Sequence, residues 1–129
     1  MDKYKVLIVD DIPENIDSIS EMIQDMDIDV KTANGGKEAI ELIDTFTPNI
    51  ILLDLMMPGV NGWDVIDHVR EKYDKSQMII IVVSLLSNKD NIDECYDLGV
   101  NDYIIKPVIK ARLVSSVDSH LRNLRSNQA

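Results

Sequence analysis

The fold of this chain is decided by the stretch Ile50-Ile51-Leu52-Leu53-Asp54-Leu55-Met56-Met57-Pro58-Gly59, an apolar run that ends on an aspartate and then enters a turn. Such a run predicts a short strand that is buried on both faces, as in the centre of a parallel sheet. Asp54 then lies at the carboxyl end of that strand, which is the edge of an open α/β sheet where ligands bind. A single carboxylate there is commonly only a cap for the next turn or helix. Other charged residues at the same edge are needed to indicate a site.

A second buried run, Val6-Leu7-Ile8-Val9, also ends on acid, at Asp10 and Asp11. If the two strands are parallel neighbours, three carboxylates meet at one edge of the sheet. Like charges at that separation repel, so either a pKa rises or a cation binds among them. Hard divalent cations take oxygen ligands, and Mg²⁺ is typically held by one or two carboxylates with waters and phosphate oxygens. We therefore predict a site for Mg²⁺, or Mn²⁺, at Asp10, Asp11 and Asp54.

A cation reaches the same predicted edge from the last strand. The run Asp102-Tyr103-Ile104-Ile105 is followed by Lys106-Pro107. An ammonium beside carboxylates is often only a salt bridge. Next to a Mg²⁺ site, however, it also suits a phosphoryl oxygen.

Apolar runs alternate with helical patterns five times along the chain, which predicts a parallel sheet covered on both faces. We expect strands at 6–9, 30–33, 50–53, 78–83 and 102–105. We expect helices at 13–26, 36–46, 63–73 and 89–98, and a final helix that buries Leu113, Val117, Leu121 and Leu124. Five such units match a flavodoxin-like doubly wound sheet with strand order 2-1-3-4-5. Right-handed crossovers then place Asp10 and Asp11 beside Asp54.

The composition is that of a globular protein: 129 residues, 45% hydrophobic, with a formal net charge of −10. The length suffices for one domain with its own core, and the single Cys95 fits a reducing compartment. No apolar run approaches the roughly 18 residues of a spanning helix, and the first residues lack a signal-peptide core. The negative charge opposes binding to nucleic acid or an anionic membrane. We expect a cytoplasmic protein whose partners are proteins.

The ordered set Asp10-Asp11, Asp54, Ser84 and Lys106-Pro107, each at the end of its own predicted strand, resembles the receiver domain of two-component response regulators. The resemblance covers roughly residues 4–124, and we expect a receiver domain at 1–125 followed by a frayed tail at 126–129. It implies that Asp54 accepts a phosphoryl group from the phosphohistidine of a sensor histidine kinase or phosphotransfer protein. It also implies a signalling domain that assists its own phosphorylation and dephosphorylation and is not an enzyme.

The resemblance further implies a role for each site residue. Asp11, Asp54 and the backbone carbonyl of Met56 would hold the metal ion, with Asp10 acting directly or through water. Lys106 would pair with Asp54 before transfer and with a phosphoryl oxygen afterwards, next to a cis Lys106-Pro107 peptide bond. Ser84 would donate its hydroxyl to another phosphoryl oxygen.

The resemblance also implies a switch at Tyr103. Its sequence pattern alone predicts a half-buried strand tyrosine. In response regulator receivers, an aromatic residue at this place turns inward when the residue that corresponds to Ser84 moves. Readout would occur on the face formed by the fourth helix, fifth strand and fifth helix. The downstream partner would be a separate protein or a fused output domain, and the chain would be a monomer or a phosphorylation-dependent dimer.

This chain departs from the family pattern after Ser84, where a small residue is usual and Leu85 is present, followed by Leu86. Together with Met56, these side chains would modulate access to Asp54. We therefore expect a long-lived phosphoryl state or a selective donor.

Three other functions are weighed on the same residues. Phosphatases of the haloacid-dehalogenase type place a second acid two residues after the nucleophile, where this chain has Met56. Flavin binding is disfavoured because Asp10 and Asp11 would repel the phosphate of the cofactor. A phosphorylation-independent interaction module stays open as the alternative, and it need not bind Mg²⁺.

Overall fold

The computed structural model describes residues 3–127, and within them five strands alternate with five helices. The strands are β1 Tyr4–Val9, β2 Ile28–Ala33, β3 Ile50–Leu53, β4 Ile79–Ser84 and β5 Asp102–Ile105. The helices are α1 Pro13–Met22, α2 Gly36–Phe46, α3 Gly62–Lys72, α4 Lys89–Asp97 and α5 Lys110–Asn127. The strands run parallel in the order β2-β1-β3-β4-β5. This confirms the predicted flavodoxin-like fold.

The sheet separates two apolar cores, because successive residues of a strand point to opposite faces. Leu7 and Ile51 pack with residues of α2, α3 and α4 on one face. Ile8 and Leu52 pack with residues of α1 and α5 on the other face. The central strands β3 and β4 are buried along their whole length, which explains their unbroken apolar sequences. The four residues of α5 that were predicted to face inward, Leu113, Val117, Leu121 and Leu124, are all buried.

Helix α1 is shorter than predicted. The apolar spacing placed its end near Met26, whereas the helix ends at Met22, and the N–H of Ile23 bonds to the carbonyl of Ile19 (3.3 Å). The chain then turns, and β2 begins at Ile28 instead of residue 30. The prediction was wrong because Met26 still packs against the core from within the turn, so its spacing imitates a helical position.

The other boundaries shift by one or two residues at most. Strand β1 begins at Tyr4, two residues earlier than expected, and α3 begins at Gly62. Helix α2 ends as predicted before Thr47, which adopts a left-handed φ of 47°. Helix α5 continues through residues 126 and 127, where the sequence suggested a frayed tail. Residues 128 and 129 of that tail lie outside the described residues.

Between residues 3 and 127, no helix has the length and apolar character that crossing a bilayer requires.

Candidate functional site

The residues singled out from the sequence lie at the carboxyl edge of the sheet, the edge where all five strands end. Main-chain hydrogen bonds continue past the strand ends. The N–H of Asp10 donates to the last residue of β2 (3.2 Å), and the N–H of Asp54 donates to the last residue of β1 (3.0 Å). The N–H of Lys106 donates to the carbonyl of Ser84 (2.8 Å). Three functional side chains therefore project from a fixed main-chain frame.

Asp10, Asp11 and Asp54 form an acidic cluster, in which one carboxylate oxygen of each residue lies within 4.8 Å of the others. Asp10 and Asp54 are buried and Asp11 is half-buried. Burial raises the pKa of Asp54 above its ordinary value, and the charges of Asp10 and Asp11 act in the same direction. Lys106 and the N–H of Met56 act in the opposite direction, and the net effect is a raised pKa. The cluster is an acidic pocket whose oxygen atoms suit a hard divalent cation.

The ammonium of Lys106 lies between two of these carboxylates. Its Nζ is 2.8 Å from Oδ2 of Asp10 and 3.6 Å from Oδ2 of Asp54. The resemblance implied Asp54 as the partner, and the structure has that ion pair together with a shorter one to Asp10. The other oxygen of Asp10, Oδ1, accepts a hydrogen bond from the N–H of Ile12 (3.0 Å). The peptide bond between Lys106 and Pro107 is cis.

Ser84 and Tyr103 are joined through Leu86, in the connection between β4 and α4. The Ser84 hydroxyl oxygen accepts a hydrogen bond from the N–H of Leu86 (3.2 Å). The hydroxyl of Tyr103 donates to the carbonyl of Leu86 (2.6 Å), and its ring is only 8% exposed. Tyr103 therefore faces inward in this structure, and burial raises the pKa of its hydroxyl.

A cavity of about 620 Å³ opens beside Asp54 and Lys106. Met56 and Leu85 line it and are 60% and 73% exposed. Leu86 instead packs against the core, so it does not line the cavity.

The rest of the apolar wall was missed from the sequence. It includes Ile12, Met22 and Val108, which come from the start and end of α1 and from the segment that follows Pro107. The one available signal was Ile12, an apolar residue directly after the acid pair that is 47% exposed.

Glycine is required where the connection after β3 folds back on the strand. A Cβ atom at Gly62 would lie 2.5 Å from the carbonyl oxygen of Asp54 and 2.6 Å from the Cα of Leu55. The N–H of Gly62 donates to the carbonyl of Leu55 (3.1 Å), and Asn61 and Asp64 cap α3 reciprocally. These contacts hold the loop closed, and the N–H of Met56 reaches Oδ1 of Asp54 (3.3 Å).

Comparison with known proteins identifies the family. The model of the response regulator receiver domain matches residues 6–118. Among solved structures, the receiver domain of RstA from Klebsiella pneumoniae is 30% identical with a TM-score of 0.83, covering 92% of this chain and 98% of that chain. The receiver domain of Francisella response regulator 1452 is 29% identical with a TM-score of 0.84, covering 93% and 98%.

A curated relative is a probable cyclic di-GMP phosphodiesterase of Vibrio cholerae serotype O1, which is 34% identical over 121 residues. The match covers 94% of this chain but only 27% of that protein, so the chain spans about a quarter of its length. Receiver domains are signalling domains of two-component systems and generally not catalytic, and phosphorylation and Mg²⁺ are typical of them. From the fold, the acidic pocket and the extent of the match, this chain belongs to the response regulator receiver domain family.

Proposed function

We propose that this chain accepts a phosphoryl group on Asp54 from the phosphohistidine of a sensor histidine kinase or phosphotransfer protein, in a Mg²⁺-dependent reaction. The observation that carries the proposal is the acidic cluster, with its oxygens within 4.8 Å of one another, and the ammonium of Lys106 beside it. Phosphoryl transfer needs an in-line nucleophile and positive charge around the transferred group, and this edge offers both.

The residues present fit a Mg²⁺ ion, which would neutralise the charge on the phosphoryl oxygens. Asp11, Asp54 and the carbonyl of Met56 would hold it. Both carboxylate oxygens of Asp10 already have partners, in Lys106 and the N–H of Ile12. This arrangement favours contact of Asp10 with the ion through a water molecule. The raised pKa of Asp54 supports the need for a cation at this place.

In the transfer step, a carboxylate oxygen of Asp54 attacks the phosphorus atom opposite the histidine nitrogen. The P–N bond breaks, the P–O bond forms, and the imidazole leaves with its electron pair. The ammonium of Lys106 already lies 3.6 Å from Asp54 and would move to a phosphoryl oxygen. The hydroxyl of Ser84, whose oxygen accepts from the N–H of Leu86, would donate its proton to another phosphoryl oxygen.

The new group adds a charge of roughly −1.5 to −2 beside Lys106 and Ser84. Because Ser84 and Tyr103 meet at Leu86, a movement of Ser84 would reach Tyr103 and the N-terminal end of α4. The face formed by α4, β5 and α5 carries the exposed apolar residues Tyr96, Ile105 and Ile109, which suit a protein partner. That partner would be a separate cytoplasmic protein, a fused output domain or a second phosphorylated copy.

The test is the intact mass of the chain after incubation with Mg²⁺ and acetyl phosphate. The parent and Asp67→Ala, which removes an exposed aspartate of α3, should each gain one phosphoryl group. Asp54→Ala should gain none, and chelation of Mg²⁺ should prevent the gain in every variant.

An adduct that persists in Asp54→Ala would contradict the proposal. If the parent gains no adduct, the assay is repeated with Leu85→Ala, since Leu85 stands at the mouth of the site. Failure of that variant as well would favour the phosphorylation-independent interaction module.

A further inference from the structure

Arg70, near the C-terminal end of α3, connects three segments at the amino edge of the sheet, opposite the acidic cluster. Its guanidinium makes five hydrogen bonds: Nε to the carbonyl of Gly99 (2.8 Å), Nη1 to the carbonyls of Tyr73 (3.2 Å), Asp74 (3.1 Å) and Met78 (2.8 Å), and Nη2 to Oδ1 of Asn101 (2.9 Å). A planar guanidinium can serve several acceptors at once, whereas an ammonium is a compact point charge.

Two of these acceptors lie on either side of the junction between α4 and β5. Gly99 follows α4 and Asn101 precedes β5. Gly99 has a φ of 101°, and a Cβ atom there would lie 2.9 Å from Nε of Arg70, so the approach of the guanidinium requires glycine. Asn101 also accepts from the N–H of Ile80 (2.9 Å), within β4. The C-terminal end of α4 is thereby attached to α3 and to the sheet.

The N-terminal end of α4 is attached differently. The connection before it is held by the two contacts of Leu86, with the hydroxyl of Tyr103 and with the hydroxyl of Ser84. The N-cap contact of Asn88 with the N–H of Asp90 (2.7 Å) is internal to the helix and does not attach it to the sheet. Besides the packing of Leu86 and Ile92 against the core, the polar attachments of this end are two neutral side-chain hydroxyls. The polar attachment of the other end is a charged, multiply bonded guanidinium.

We infer that Arg70 is a positioning residue that fixes the C-terminal end of α4, so that α4 moves by rotating about that end when the contacts of Leu86 change. The statement that phosphorylation of Asp54 triggers this rotation rests on the proposed function. The unequal attachment of the two ends of α4 is independent of that function. Helix α4 has 9 residues and is therefore about 13 Å long, so a rotation of about 10° displaces its N-terminal end by about 2 Å. The displacement at Gly99 would be close to zero.

The first test needs no phosphoryl group. Tyr103→Phe removes the hydroxyl that holds Leu86 and leaves the ring. Amide hydrogen exchange should become about 5-fold faster at Leu86 and Ile92, at the N-terminal end. Exchange at Leu98 and Val100, whose N–H groups bond within the C-terminal end, should change by less than about 2-fold.

The second test reverses the pattern. Arg70→Lys keeps the positive charge but loses the planar guanidinium with its several donors. Exchange at Leu98 and Val100 should therefore become at least about 10-fold faster, while exchange at Leu86 changes by less than about 2-fold. Glu71→Gln, at the exposed neighbouring position, is the matched control and should leave both ends unchanged. A global loss of stability would instead also speed the exchange of the most slowly exchanging amides of β3.

The third test joins the inference to the proposed function. Once intact mass has shown the adduct, exchange in the phosphorylated parent should change at Leu86 and Ile92 and not at Val100, and in Arg70→Lys it should change at both ends. If no adduct forms, the proposed function fails while the first two tests still decide the inference. Equal changes at both ends in Tyr103→Phe, or unchanged exchange at Val100 in Arg70→Lys, would overturn it.

Discussion

The two edges of the sheet carry opposite arrangements of charge. At the carboxyl edge, three carboxylates converge on one ammonium, and burial raises the pKa of Asp54. At the amino edge, one half-buried guanidinium, that of Arg70, faces only oxygen acceptors, four of them backbone carbonyls. The first arrangement sets three carboxylates against one ammonium, whereas in the second each nitrogen of the guanidinium has an oxygen acceptor. The comparison teaches that this fold gathers unbalanced negative charge at the acidic cluster and places a hydrogen-bonded positive charge at the far edge.

Several exposed apolar side chains lie beside the acidic cluster. Ile12, Met56 and Leu85 surround the mouth of the cavity beside Asp54. Other exposed apolar side chains in residues 3–127 lie elsewhere, and one of them, Tyr96, is in the last turn of α4, beside the segment that Arg70 holds. Apolar surface left uncovered beside a charged site is typical of a place where another molecule docks. This apolar surface supports the proposal that the phosphoryl donor docks at the carboxyl edge.

The largest expected effect is at the amino edge. Arg70→Met should lower the free energy of unfolding by about 3 kcal/mol, because it leaves several carbonyl groups without their donor. Lys72→Met, an exposed substitution on the same helix, should cost less than about 0.5 kcal/mol. Urea denaturation of the three proteins measures both values. Equal stability of Arg70→Met and Lys72→Met would remove the contrast between the edges.

A smaller effect of opposite sign is expected at the carboxyl edge. Asp54→Asn should raise the free energy of unfolding at pH 7 by about 1 kcal/mol, because it removes a buried charge from between two others. Added Mg²⁺ should stabilise the parent more than the variant and so narrow the difference. Thermal unfolding at matched pH, with and without Mg²⁺, measures this.

The pH dependence of that effect follows from the raised pKa of Asp54. The folded chain holds this proton more tightly than the unfolded chain, so the cost is present in full above the raised pKa. The cost declines as the pH falls and is absent below the ordinary aspartate pKa of about 3.9. The advantage of Asp54→Asn should therefore shrink between pH 7 and pH 4. An advantage that grows on acidification would show that the assigned direction is wrong.

The smallest expected effect concerns access to Asp54. Leu85→Ala should shorten the lifetime of the phosphoryl group by about 3-fold, which corresponds to about 0.65 kcal/mol in the barrier. Ile109→Ala, an equally exposed aliphatic residue outside the cavity, is the matched control and should leave the lifetime unchanged. Decay of the adduct, followed by intact mass, measures both. A lifetime in Leu85→Ala equal to that of the parent would exclude obstruction by this side chain.

Local patterns were sufficient for most of the fold. The runs at Val6–Val9 and Ile50–Leu53 are read correctly as buried strands, because a strand covered on both faces needs apolar residues at every position. The order of the strands came from the match of five alternating strand and helix units to the flavodoxin-like sheet. The sequence also placed the charged residues at one edge, because parallel strands end on the same side of a sheet. These residues are the acid pair, Asp54 and Lys106.

Long-range contacts were beyond the sequence. The resemblance implied an ion pair of Lys106 with Asp54, which is present at 3.6 Å, but not the shorter one with Asp10 at 2.8 Å. The apolar spacing extended α1 to Met26, four residues too far. The role of Arg70 had no signal, because its acceptors are mostly backbone carbonyls, which every residue type carries. The role of Gly62 had only a weak signal in the sequence, because turn glycines are common. Its contact with Asp54 depends on how the loop closes.

The sequence by itself determined the class of fold, the edge at which the charged residues gather and the family to which their order belongs. Those properties follow from alternation and chain direction, which are local and are written in successive residues. Only the tertiary structure decided that Lys106 lies closer to Asp10, that Tyr103 faces inward onto Leu86, and that Arg70 fixes one end of α4. Each of these depends on distances between segments far apart in the chain, which side-chain packing sets and no local pattern contains.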